Sequence, residues 1–122
     1  MDSMWIDVTL KRGAVELDLL SRSFPGLRFT RIYFAEHVHH DLVSVDVIGS
    51  GDDLVRHGFL DAGQLKTASR CKVVTHFRET DGRLIEVRRR ASGFRVSRWV
   101  SLDLIAPVLA PHVWSPKAQP IR

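Results

Sequence analysis

Residues 70–98 read RCKVVTHFRETDGRLIEVRRRASGFRVSR, three β-rich runs separated by two dipeptides of a small polar residue and glycine. Asp81-Gly82 suits the φ > 0 positions of a tight two-residue hairpin turn, and Ser92-Gly93 suits a second turn. Together they predict a three-stranded antiparallel meander, which excludes an all-helical fold.

Counting outward from Asp81-Gly82 places Glu79 opposite Leu84, Phe77 opposite Glu86, Thr75 opposite Arg88 and Val73 opposite Arg90. The same count from Ser92-Gly93 places Arg95 opposite Arg90, Ser97 opposite Arg88 and Trp99 opposite Glu86. One face then carries Val74, His76, Ile85, Val87, Phe94, Val96 and Val100, with Arg89 and Arg98 among them, and is the better core face. The other carries Thr75, Phe77, Glu86, Arg88, Arg90, Arg95, Ser97 and Trp99, where aromatic rings alternate with guanidinium groups. Arg90 across from Arg95 and beside Arg88 is an unfavourable pairing of like charges that an anionic partner would relieve. Arg88, Arg90 and Arg95 are therefore candidate phosphate contacts, with Phe77 and Trp99 as stacking surfaces for bases. The alternative is that the apolar members of this face pack beneath a second layer, with the arginines reaching water by their long stems.

Charge supports an anionic partner. The chain of 122 residues carries 18 Lys+Arg and 14 Asp+Glu, a formal net charge of +4. Nine basic and three acidic residues fall within residues 70–98, a local net of +6 that leaves −2 for the remainder. The length suits one domain with a real core. The single cysteine, Cys71, excludes an internal disulfide framework and fits a reducing compartment. The N-terminal MDSMWIDVTL has neither a basic n-region nor a long apolar h-region, and no apolar run reaches membrane-spanning length. Cytoplasmic residence without a membrane partner is the expectation.

Elsewhere, residues 5–11, 27–34 and 42–48 alternate apolar and polar side chains with the period of half-buried strands. In the second of these, Leu27, Phe29 and Arg31 oppose Arg28, Thr30 and Ile32. Val15, Leu17 and Leu19 also alternate, predicting a strand, although Leu20 breaks the pattern and makes a short helix over residues 13–23 the alternative. Phe24-Pro25-Gly26 is a turn. Asp52 and Asp53 predict the start of a helix running to Leu60, with Leu54, Val55 and Phe59 inward and a stop at Asp61-Ala62-Gly63. Residues 64–70 fit a further helical turn or a linker. Gly49-Ser50-Gly51 lacks the lysine of a phosphate-binding loop and is followed by two carboxylates that would repel phosphate. Pro107 predicts that a short helix after Val100 ends before it.

Two other constellations carry alternative functions. His37, His39 and Asp41 point one way on an extended strand, a ligand set of zinc and non-haem iron sites, for which His57, His76 or His112 could complete the coordination. That would make a small metal-dependent enzyme; a solvated connection between strands is the simpler account. Trp114 and Ile121 suit anchors of a proline-bearing arm that docks on a neighbouring chain, as in a homo-oligomer or larger assembly. His76 is expected to be a buried or edge histidine with a hydrogen-bond partner, and Cys71 a small buried thiol.

These observations predict an α+β fold, mostly β: six to seven short antiparallel strands as a sheet, small barrel or sandwich, with one short central helix. Residues 1–106 form the domain and 107–122 the arm. The expected function is a non-enzymatic binding protein, with no cofactor implied, that engages nucleic acid or an acidic protein surface through the meander. A structural or assembly subunit and the metal-dependent enzyme are the alternatives.

Overall fold

A computed structural model describes residues 4–6, 11–34 and 41–109. In chain order these form β1 (Met4–Ile6), α1 (Lys11–Ser23), β2 (Leu27–Phe34), β3 (Leu42–Gly49), α2 (Gly51–Arg56), α3 (Ala62–Ser69), β4 (Val74–Arg78), β5 (Leu84–Arg90), β6 (Gly93–Ser101) and α4 (Leu102–Leu109). The strands make one antiparallel sheet in the order β1-β2-β3-β6-β5-β4. The α+β, antiparallel class holds. The single central helix does not, because the described residues include four helices, all on one face of the sheet.

The core lies between that face and the helices. Val43, Val45 and Val47 project from β3, each with no exposed surface, and Ile85, Val87, Phe94 and Val96 continue the layer across β5 and β6. Leu17 and Leu20 of α1, Leu54 of α2, Ala68 of α3 and Ile105 of α4 close it from above. Fully burying one such aliphatic side chain stabilises the fold by about 1.5–3 kcal/mol. Phe24, Phe29 and Phe59 form an aromatic triad, with centroids 5.5–5.7 Å apart and Phe59 edge-on to the other two.

Residues 11–23 are helical, which overturns the strand expected there. Among the side chains described there, Leu17 and Leu20 are buried, and Phe24 directly after the helix continues their spacing of three and four. Leu20, which broke the alternation, was the helical signal. The next helix is capped by Ser50, whose hydroxyl accepts from Asp53 N–H at 3.1 Å, and it stops at Arg56 rather than Leu60. Gly58, at φ 85°, turns the chain so that Phe59 enters the core separately. Asp61 does not end a helix but begins α3: its carboxylate accepts from Gln64 N–H at 2.7 Å, and Gln64 Oε1 accepts from Asp61 N–H at 3.0 Å. At the other end of the chain, α4 runs through Pro107. Pro107 and Asp103, whose carbonyl would have received the missing bond, are both exposed, so the loss falls on the solvent side.

Arg89 and Arg98 have the parity of core residues, yet both guanidinium groups are hydrogen-bonded. Arg89 Nη1 donates to Ser69 O (2.6 Å) and Cys71 O (3.3 Å), completing carbonyls at the C-terminal end of α3. Arg98 Nη1 donates to Phe59 O (3.0 Å) and its Nη2 to Glu79 Oε2 (3.2 Å), tying the α2–α3 turn to the β4–β5 hairpin. Cys71 is half-buried rather than fully enclosed. In the β4–β5 loop, hydrogen bonding from Arg83 holds the exposed Asp81 carboxyl below its ordinary value.

Candidate functional site

No described helix covers the second face of the sheet, so side chains alternating with the core residues stand on it. Its composition is set by strand period and by three local irregularities. The first is the β4–β5 turn. Glu79 N–H donates to Arg83 O (2.8 Å) and Gly82 N–H to Glu79 O (2.9 Å), so the loop is Thr80-Asp81-Gly82, with Gly82 at φ 90°. This three-residue loop replaces the expected two-residue one and slips β4 by one position. His76 therefore opposes Glu86 and Phe77 opposes Ile85. Phe77 sits on the helix-covered side, packed against the core, and is not a member of the basic face. His76, expected on the core side, is on the uncovered one, at the edge of the sheet.

The second irregularity is the β5–β6 turn, where Ala91 and Ser92 form the loop and Gly93 opposes Arg90 with φ 101°. The register shifts by two, which preserves the faces but changes the partners. Arg95 opposes Arg88, not Arg90, and Ser97 opposes Glu86. Arg90 stands exposed at the hairpin end. The third is a bulge in β2. Phe29 pairs with Val47 and Arg31 with Asp46, leaving Thr30 as the extra residue. Phe29 and Ile32 thereby both enter the core, and Arg28, Arg31 and Tyr33 join the uncovered face.

The resulting surface has an aromatic end and a basic body. Tyr33, Ser44 and Trp99 lie in one register row across β2, β3 and β6. The small Ser44 lets the rings flanking it meet edge-to-face at 6.0 Å. Two rows along, Arg28, Ile48, Arg95 and Arg88 cross β2, β3, β6 and β5. The like-charge pair of Arg88 and Arg95 is relieved locally. Arg95 Nη2 bonds Asp46 Oδ2 at 2.7 Å, and Arg88 Nη2 approaches Glu86 Oε2 at 3.4 Å. Glu86 Oε1 also meets His76 Nε2 at 3.3 Å. Arg95 Nε is buried without a hydrogen-bond partner. Among the described residues, Arg28, Arg31, Arg78, Arg88, Arg90 and Arg95 stand on this face with Asp46 and Glu86, a formal +4 (six less two) for those eight residues.

Of the five residues expected to bind an anion, Arg88, Arg95 and Trp99 come together here, Arg90 stands at the margin, and Phe77 is elsewhere. The β2 contribution carried no legible signal beyond the spacing of Leu27, Phe29 and Ile32. His37 and His39 lie outside the described residues, as do His112, Trp114 and Ile121. Asp41 is exposed, and its carbonyl accepts from Leu102 N–H at 2.7 Å. His57 Nε2 lies 3.0 Å from Pro25 O. Among the described residues no group of three His, Cys, Asp or Glu side chains could hold a metal ion, and no helix is long and apolar enough to cross a membrane. A cleft of about 500 Å³ between α2 and α3, lined by Val55, Arg56, Leu65 and Lys66, lies in the helical layer away from this surface. Comparison of the chain with protein-family models, curated proteins and solved structures found no match.

Proposed function

We propose that this chain is a small non-enzymatic binding protein whose uncovered sheet face engages an anionic partner, nucleic acid foremost. The observation that carries this reading is the gathering of six arginines, two carboxylates and the Tyr33–Trp99 pair, among the described residues, on the face that no described helix covers. Guanidinium groups on a broad sheet suit phosphates, and aromatic rings at its end suit unpaired bases. The lone Cys71 fits a reducing, cytoplasmic setting.

The test is fluorescence anisotropy with a labelled single-stranded oligonucleotide at several salt concentrations. Arg88→Ala and Arg95→Ala are each expected to reduce the salt slope of log affinity by about one. Trp99→Ala is expected to lose about 1–3 kcal/mol of affinity with the slope unchanged. A slope that survives both arginine substitutions would remove this face from the interaction, and absence of binding by the unmodified chain would remove nucleic acid.

A further inference from the structure

β4 is an outer strand, and the hydrogen bonds of its hairpin fix which backbone groups are used. Glu79 N–H donates to Arg83 O at 2.8 Å, and Arg89 N–H donates to Val73 O at 2.7 Å. Hydrogen-bonded and non-hydrogen-bonded pairs alternate along an antiparallel ladder. Thr75 and Phe77 therefore direct their backbone groups to β5, while Val74, His76 and Arg78 direct theirs outward. Among the described residues no backbone donor or acceptor meets these outward groups.

Apolar side chains at and beside this strand add a second observation. Val73 (59%) and Leu84 (48%) are the exposed large apolar residues among those described, and both flank β4. Val73 precedes the strand, and Leu84 pairs with Arg78. The charges supply a third. Arg70 and Lys72, in the segment leading into β4, and Arg78, its last residue, are exposed, with Arg78 Nη1 also donating to Gly82 O at 2.9 Å. The nearby carboxylates are already engaged, Glu79 by Arg98 at 3.2 Å and Glu86 by His76 at 3.3 Å.

We infer that the β4 edge receives an extended acidic peptide segment as a seventh strand of the sheet. Main-chain bonds to Val74, His76 and Arg78 supply affinity, and carboxylates facing Arg70, Lys72 and Arg78 supply specificity. A second copy of the chain is the poorer occupant, because it would bring an equally basic row alongside. This interaction shares Arg78 and the margin at His76 with the nucleic-acid face, but its main-chain bonds use the edge of the sheet, which that reading leaves idle.

The test uses the full chain and a labelled synthetic peptide of about ten residues in which glutamate alternates with valine or threonine. Saturable binding is expected, with the His76 and Arg78 amides exchanging with solvent at least tenfold more slowly on peptide addition. A peptide with lysine in place of glutamate is expected to bind at least tenfold more weakly. His76→Pro removes an outward N–H and no ladder bond, so the variant is expected to fold and to lose the peptide. Should that variant fail to fold, amide exchange in the unmodified chain decides. Unslowed His76 and Arg78 amides at peptide saturation would overturn the proposal, as would equal affinity for the lysine peptide. Concentration-dependent slowing of the same amides without peptide would also overturn it, by assigning the edge to a second copy.

Discussion

Phe59→Ala is expected to destabilise the protein by about 3–5 kcal/mol, read from the urea midpoint at constant m-value, with a fall in Tm of roughly 10–20 °C. The side chain has no exposed surface and stands edge-on to Phe24 and Phe29 at 5.7 and 5.5 Å. Truncation removes both ring contacts and leaves a void in the core beside Phe24 and Phe29. Phe59 belongs to none of the helices. It reaches the core through the Gly58 turn, and its carbonyl accepts from Arg98 Nη1. Its backbone is pinned, so the site has little freedom to relax. A loss below about 1 kcal/mol would show that the triad does not anchor the helical layer.

Gly93→Ala is expected to cost about 2–4 kcal/mol, and Gly82→Ala only about 1 kcal/mol. Both glycines have a left-handed backbone, at φ 101° and 90°, so the dihedral penalty is shared. Their surroundings differ. A Cβ on Gly93 would meet the Gly49 carbonyl of β3, while one on Gly82 would meet nothing within 4 Å. The neighbour at Gly93 is backbone in the middle of the sheet and has no rotamer by which to move aside. Comparing the two variants by denaturant unfolding isolates the close approach, and equal losses would refute it.

How much of this was legible in the sequence follows from which physical signals have a unique reading. The period of two in residues 27–34 and 42–48 located β2 and β3, because β-branched and aromatic side chains on alternate positions fit few other structures. The meander was equally legible in outline. Its faces depended on turn length, and Asp81-Gly82 serves a two-residue loop as readily as the second half of a three-residue one. That ambiguity alone moved Phe77 to the core side and His76 to the uncovered side. Residues 13–23 satisfied both periods over part of their length, and the tertiary demand for a helix against β2 decided between them. Asp61 and Gln64 form a capping box, a signal present in the sequence and read there as a stop. The bulge at Thr30 had no local signature, so the β2 arginines were assigned no role. The candidate site was thus visible in its β5 and β6 half and hidden in its β2 half.

The joining of β3 to β6 has a consequence for how the chain reaches its native state. Two antiparallel units, β1-β2-β3 and β6-β5-β4, share this one seam, in which Gly49 pairs with Phe94 and Leu42 with Ser101. Hairpins such as β2–β3 and β5–β6 close over short loops, whereas the seam closes one on the order of fifty residues and meets the larger entropy cost. The rate-limiting step of folding is expected to be the docking of two preformed halves. Val45→Ala and Val96→Ala, on either side of the seam, should then slow refolding, and Leu17→Ala in α1 should chiefly speed unfolding. A refolding rate unchanged by the seam substitutions would place the barrier elsewhere.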